Sequence, residues 1–214
     1  RVDFDYTYLK EGMRVLANEI KKQGEDKIVV IISTVLPGTI RNEIKPLLND
    51  NVKLCYNPFF IAMGTTRNDF ENPEFVLFGM DDQEAYNKAK EFYATIHSKP
   101  VYKCTIEEAE MIKVTYNTYI TMKICLANVV MEVAHKLDNV NCDNVMKGLF
   151  LADERLMSPK YLLGGMGDGG GCHPRDNIAL SYMAKKLDMR YDWYENLMIC
   201  REEQTEWLAD LIIE

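Results

Sequence analysis

The first hundred residues alternate between two hydrophobic periods. "YTYLKEGMRVLANEIKKQG" carries its apolar residues at helical spacing and stops at Gly24, a helix ending in a glycine. "KIVVIISTV" (27–35) is a β-branched apolar run and predicts a strand buried on both faces. "LPGT" turns the chain, and "TIRNEIKPLL" predicts a short helix from Thr39. "VKLCYNP" and "EFVLFGM" predict a second and a third strand. Asp81 and Glu84 have the spacing of a capping box ahead of the helix "DQEAYNKAKEFYATI", and "PVYKC" predicts a fourth strand. Strands separated by helices imply a mostly parallel sheet covered by helices.

After residue 104 the period changes. Thr105 and Glu108 predict a second capping box. From there to about Leu137 runs one helical pattern with neither glycine nor proline, apolar nearly all round in "YITMKICLANVVMEVAHKL". Such a helix has to be enclosed, by its own domain or by a second copy. "CDNVMKGLF", "DNIALSYMAKKL" and "YDWYENLMICREEQTEWLADLI" predict three further helices, with an irregular loop, "LMSPKYLLGGMGDGGGCHP", between the first two. The expected class is therefore α/β: a partial Rossmann-like parallel sheet over 1–104, then an all-helical domain over 105–214 with one long central helix.

Charge and cysteines narrow the function classes. A net charge of −8 over 214 residues argues against a general nucleic-acid or anionic-membrane binder. No apolar run reaches the roughly 20 residues of a membrane span. The chain shows no signal peptide and opens without Met, so a larger parent protein is expected. Its six cysteines are scattered, with no zinc spacing, so no metal is expected and reduced thiols point to a cytoplasmic setting. Cys55, Cys104 and Cys125 lie in apolar stretches and read as buried small hydrophobes.

Six of the chain's 12 glycines fall in 164–171, immediately before Cys172. The literal G-x-G-x-x-G (Gly165, Gly167, Gly170) follows no strand, and Pro174 and Asp176 place the next helix start after the cysteine. A dinucleotide fingerprint needs a strand before it and a helix start within it, so this string is not one. The other readings are a loop presenting a nucleophile and a surface loop with an incidental thiol. A thiol beside a helix start, His173 and Arg175 has a lowered pKa. Lys113 and Asn117, four apart on the long helix, read either as a solvated stripe or as a pair that stabilises an oxyanion.

Four stretches taken in order, "STVLPGT" (33–39), "NPFFIAMGTTRNDFENPEFVLFG" (57–79), "AEMIKVTYNTYITMKICLANVVMEVA" (109–134) and "GDGGGCHPRD" (167–176), resemble the UDP-glucose/GDP-mannose dehydrogenase family of nucleotide-sugar 6-dehydrogenases. The last is the most specific. The resemblance covers nearly the whole chain and implies the second half of an NAD-binding domain followed by the central dimerisation domain. The family's true fingerprint unit and its C-terminal domain find no counterpart in these residues. The expectation is a fragment or truncated relative, inactive alone.

The resemblance implies that Cys172 attacks an aldehyde formed from the sugar CH2OH, through a thiohemiacetal and a thioester, with NAD as oxidant. Lys113 and Asn117 match the oxyanion pair, Asp176 the water-activating carboxylate, and Thr34 the residue that holds a catalytic water. Ser33, Thr34, Pro37 and Arg175 match cofactor contacts. Phe59, Phe60, Ile61, Lys113, Asn117, Gly169 and Gly170 match substrate contacts. The long helix, 105–137, matches a homodimer interface. The sequence departs from the family at Phe59 and Met63, where acidic residues are usual, and at Asp168 and His173, where aromatics are common. Phenylalanine neither accepts a proton nor orders water. Two alternatives stay open: a variant impaired in thioester hydrolysis, and a non-catalytic dimerisation or scaffold module.

Overall fold

The computed structural model describes residues 4–62, 64–156 and 172–213. Their chain order is α1 (Thr7–Gln23), β1 (Lys27–Ile31), β2 (Val52–Tyr56), α2 (Thr66–Glu71), β3 (Val76–Gly79), α3 (Gln83–Ala94), β4 (Val101–Cys104), α4 (Ile106–Lys136), α5 (Cys142–Phe150), α6 (Cys172–Lys186) and α7 (Trp193–Ile213). The chain forms two compact units, Arg1–Ile120 and Thr121–Glu214, and the division falls inside α4.

In the first unit the sheet order is β1-β2-β3-β4. β1/β2 and β3/β4 pair in parallel, while β2 and β3 meet antiparallel at the single pair Tyr56 and Gly79. One face carries Val29, Ile31, Leu54, Tyr56 and Leu77 into a core with α1 and the start of α4. The other carries Cys55, Val76 and Phe78 into a core with Ala85, Ala89 and Tyr93 of α3. α1 buries Met13, Ala17 and Ile20 from one stripe and ends at Gly24, which is left-handed at φ 71°.

Three local expectations need correction. β1 is a strand only to Ile31 and is not buried on both faces, since Val30 and the following Ile32 are exposed. As an edge strand among the described residues, it has a neighbour on one side only. The segment from Thr39 is a π-type turn, Ile40–Ile44, running into a single 3₁₀ turn, Lys45–Leu47. Pro46 has no N–H to donate and so cannot continue an α-helical ladder. α3 is capped by Asp82, which accepts from the Ala85 N–H at 2.7 Å, because Asp81 pairs instead with Lys45.

The start of α4 follows its sequence signature. The Thr105 N–H donates to Glu108 at 2.8 Å and the Glu108 N–H donates back to Thr105 Oγ1 at 3.3 Å. Ile106 and Ala109 are fully buried. Gly79 makes that contact possible: a Cβ there would lie 2.6 Å from Ala109 Cβ and 2.9 Å from Ile106 Cα. The absent side chain thus lets β3 set the height of α4, and with it the height of every residue one and two turns further on. The start of α4 thus belongs with the sheet, in the first spatial unit.

In the second unit, Asn141 caps α5 by accepting from the Asn144 N–H at 3.1 Å. Ser181 donates to Asp192 at 2.7 Å, tying α6 to the start of α7. Lys136 Nζ closes the end of α6 by donating to the Leu187 and Asp188 carbonyls at 3.0 and 2.8 Å.

Candidate functional site

Parallel β1 and β2 send their following loops, 32–39 and 57–62, to the same edge of the sheet, where ligands of α/β sheets bind. Asn57 fixes this edge. It is buried, its backbone N–H donates to the Ile31 carbonyl at 2.8 Å, and its Nδ2 donates to the Leu77 carbonyl at 2.9 Å. Tyr93 completes the set by donating to Asn57 Oδ1.

In the loop after β1, Ser33 and Pro37 are exposed and Thr34 is half-buried. Four backbone donors at the end of this loop are already used. The Leu36 N–H donates to Tyr6 Oη at 3.2 Å, and the Thr39 N–H to the Leu36 carbonyl at 3.1 Å. The Gly38 and Ile40 N–H groups donate to the Glu110 carboxylate at 2.5 and 2.8 Å. An anion that would otherwise sit on these amides therefore finds a carboxylate in place. Burial pushes the Glu110 carboxyl above its usual range, and the two N–H donors pull against that shift.

Lys113 lies one turn beyond Glu110 on α4. Its side chain is only 7% exposed, so it is not part of a solvated stripe. Nζ donates to the Phe59 carbonyl at 2.9 Å and stands 5.0 Å from the centre of the Phe60 ring. Burial holds its pKa below the ordinary lysine value. It opens on a cleft of about 270 Å³ whose wall includes Phe60, Phe75, Tyr116 and Asn117. Phe60 packs 4.9 Å from Phe75 and 4.6 Å from Tyr116, ring centre to ring centre. Asn117 is exposed on the same cleft, as is Ile61. A poorly hydrated ammonium with one fixed acceptor has donors left for an oxygen bound in the cleft.

Phe59 turns its side chain the other way. Its ring packs 5.4 Å from Phe70 and joins the α3-side core, so only its carbonyl faces Lys113. Met63, Gly169, Gly170 and the rest of the glycine string lie outside the described residues.

In the second unit Cys172 is the first residue of α6, with Arg175 in its first turn and Asp176 just after it. The side chains of these three lie outside the description. The helix therefore begins at the cysteine rather than after it. Pro174 is accommodated there because first-turn N–H groups have no acceptor within the helix.

Two residues missed by sequence reasoning complete the first unit's site. Glu110 sits three positions before Lys113, a spacing that shares one helix face, and that spacing was the available signal. Asp69 accepts from the Ala62 N–H at 2.9 Å and from Thr65 Oγ1 at 2.7 Å, and so shapes the cleft rim. No local pattern announces that bond. Among the described residues no helix is long and apolar enough to cross a membrane.

Comparison with known proteins divides the chain earlier than the spatial units do, between residues 97 and 107. Residues 1–97 match the sequence model of the UDP-glucose/GDP-mannose dehydrogenase family, NAD binding domain, and residues 107–200 match that of the family's central domain. The GDP-mannose 6-dehydrogenase of Pseudomonas aeruginosa is 31% identical over 218 residues, covering 98% of this chain and 50% of that protein. The UDP-glucose 6-dehydrogenase of Haloferax volcanii is 29% identical, covering 98% of this chain and 51% of its own length. A crystal structure of a ternary complex of the P. aeruginosa GDP-mannose dehydrogenase superposes with a TM-score of 0.92 at 30% identity, over 99% of this chain and 50% of that one. The UDP-glucose dehydrogenase of Pyrobaculum islandicum shares the fold, with a TM-score of 0.68 at 24% identity over 98% of this chain and 49% of that one. The chain spans about half the length of the curated relatives it matches.

Proposed function

The chain belongs to the UDP-glucose/GDP-mannose dehydrogenase family, and from that premise we propose that it carries the nucleophile and oxyanion groups of a nucleotide-sugar 6-dehydrogenase. In this reading 1–104 is the latter half of the NAD-binding domain and 105–214 is the central domain. The observation that carries it is Lys113, buried at the wall of a cleft and held by the Phe59 carbonyl, with Asn117 on the same cleft.

The family's first domain binds NAD, and the first half of this chain belongs to that domain. The loop after β1 fits this cofactor as a hydroxyl-bearing edge at the carboxyl end of a parallel strand, with Ser33, Thr34 and Pro37 to contact it and Arg175 as a further contact. It does not offer a phosphate cradle, since Glu110 already takes the Gly38 and Ile40 amides. When bound, NAD accepts the two electrons of each oxidation of the sugar CH2OH.

The protein's own groups supply the rest. Cys172 forms a C–S bond to the intermediate aldehyde carbon, and Lys113 and Asn117 hold the oxygen that gains negative charge. The second oxidation leaves a thioester. Asp176 takes one proton from water as water breaks the C–S bond and returns the thiolate; the carboxylic acid so formed loses the second proton to solvent and leaves as the carboxylate. Phe60, Ile61, Gly169 and Gly170 shape the sugar pocket.

Exposed Met122 and Met131 on α4 support association of two copies along 105–137. We assign the protein to the cytoplasm and turnover to the whole-length enzyme, with the 214-residue segment inactive alone.

The position of Phe59 supports a second reading, in which the thioester is made but hydrolysed slowly. Its ring is committed to Phe70 and leaves no carboxylate there to order water.

Labelling Cys172 with iodoacetamide across pH tests the nucleophile. A thiol titrating well below the ordinary value of about 8.5 is expected. An inert cysteine overturns the enzyme reading and favours a non-catalytic module. NADH absorbance of the whole-length enzyme with GDP-mannose or UDP-glucose then counts electrons. Two NADH per sugar support full oxidation, whereas a single burst without turnover supports slow hydrolysis.

A further inference from the structure

Glu110 and Lys113 are both nearly enclosed, stand one turn apart on α4, and each holds a different loop of the sheet edge. Glu110 takes the Gly38 and Ile40 amides of the loop after β1. Lys113 takes the Phe59 carbonyl of the loop after β2. The two loops touch the same helix face, and that face is set against the sheet by the Gly79 contact.

A cap made only for stability has cheaper forms. A serine, threonine or asparagine within the loop itself supplies the same acceptor without burying a charge. Here the acceptor comes from another element, 70 residues away in sequence, and is a fully buried carboxylate. Without Glu110 the Gly38 and Ile40 amides would lose this acceptor, so the bonds stabilise the loop. They also fix its position, because they tie residues 38 and 40, just after Ser33 and Thr34, to the helix that carries Lys113 one turn on.

We propose that Glu110 is a positioning residue that locks the β1 loop to the Lys113 face of α4, and so sets the cofactor-side loop against the oxyanion groups. The assignment of those roles rests on the dehydrogenase reading above, whereas the anchor itself does not.

Hydrogen exchange on the 214-residue chain tests the anchor without any turnover. In the unaltered chain the Gly38 and Ile40 amides should be as protected as those inside α4, although residue 38 lies in no regular element. In Glu110→Gln, which keeps the shape but loses one acceptor, exchange at these two amides should quicken about 10- to 100-fold. The strand amides of Leu54 and Leu77 should not change. In the enzyme at full length, the same substitution should raise KM for NAD about tenfold and leave KM for the sugar nucleotide within about twofold.

Unprotected Gly38 and Ile40 in the unaltered chain overturn the proposal, whether or not the variant folds. So does an equal rise in exchange everywhere, or an equal rise of both KM values. If the two amides respond as expected but no nucleotide sugar is oxidised, the anchor stands and the dehydrogenase reading falls.

Discussion

The two faces of the sheet are closed differently. On the α1 side, Val29, Ile31, Leu54, Tyr56 and Leu77 lie under α1 and the start of α4, and even the charged groups Glu110 and Lys113 are buried. On the α3 side, Cys55 and Phe78 are fully covered, but β1 leaves Val30 41% and Ile32 51% exposed beside Phe92 at 60%. One face encloses polar groups while the other leaves apolar groups in water. On the first face the buried charges hold two loops to one helix face. On the second, Ile28, Val30, Ile32 and Phe92 border an open apolar cleft of about 490 Å³.

The widest contrast between function and stability should appear at Lys113. Lys113→Met keeps the unbranched stem and removes the charge. We expect kcat of the full-length enzyme to fall about 100- to 1,000-fold, the usual range for losing an oxyanion donor. Unfolding stability of the 214-residue chain should stay within about 1 kcal/mol, because a desolvated charge is lost along with its single carbonyl bond. Denaturant melts and NADH production measure the two effects separately. A loss of several kcal/mol with activity retained would make Lys113 a structural residue and erase the contrast.

The covered part of the α3 face should declare itself in alkali. Burial pushes the Cys55 thiol up to about 12 and the Tyr93 phenol likewise to about 12. For a group whose folded pKa is raised, its stabilisation is complete below the unfolded pKa and is lost as pH climbs toward the folded one. Stability should therefore hold to about pH 8.5 and then fall, with Cys55 contributing at most about 1.4 kcal/mol per pH unit. Cys55→Ala should flatten the early part of that fall, between about pH 9 and 10, where tyrosine has barely begun to titrate. An unchanged slope in the variant would mean that the thiol is hydrated in solution and this part of the face is open too.

How much of this was legible in sequence depended on how local each cause is. The four strands, α1 with its Gly24 stop, and the Thr105/Glu108 cap of α4 are set by residues within a few positions of one another, and they can be read directly. The π-type turn after Thr39 cannot, because part of its hydrogen bonding comes from Glu110. The choice of Asp82 over Asp81 as the cap of α3 depends on Lys45, 36 residues earlier. Lys113 was ambiguous because α4 is apolar nearly all round, so periodicity gives no inner face against which to judge a polar residue. The same blindness affected β1: a β-branched apolar run does not say how many of its faces will be covered. Within the cleft, Phe60, Ile61, Lys113 and Asn117 were legible through the family resemblance; Glu110 shares a helix face with Lys113, a signal that lay in the spacing, whereas nothing in the local pattern announces the bond of Asp69 to the Ala62 amide.

The smallest effect gives the sharpest test of the two faces, since it compares neighbours in one strand. Val29 is 8% exposed and Val30 is 41% exposed, and they pair with Leu54 and Cys55 of β2. Valine and threonine have nearly the same shape, so Val→Thr changes polarity with little change in volume. At Val29 the hydroxyl enters a closed apolar core with no partner in the sheet ladder, and should cost about 1–2 kcal/mol. At Val30 the hydroxyl meets water and should cost less than about 0.5 kcal/mol. β-propensity does not separate the two sites, because both lie in the same strand with the same ladder, so the difference reports cover alone. Equal losses would mean that the β1 side of the α3 face is covered in solution. Because the chain offers no such cover among its described residues, the Val30→Thr loss should then shrink on dilution, as the covering copies separate.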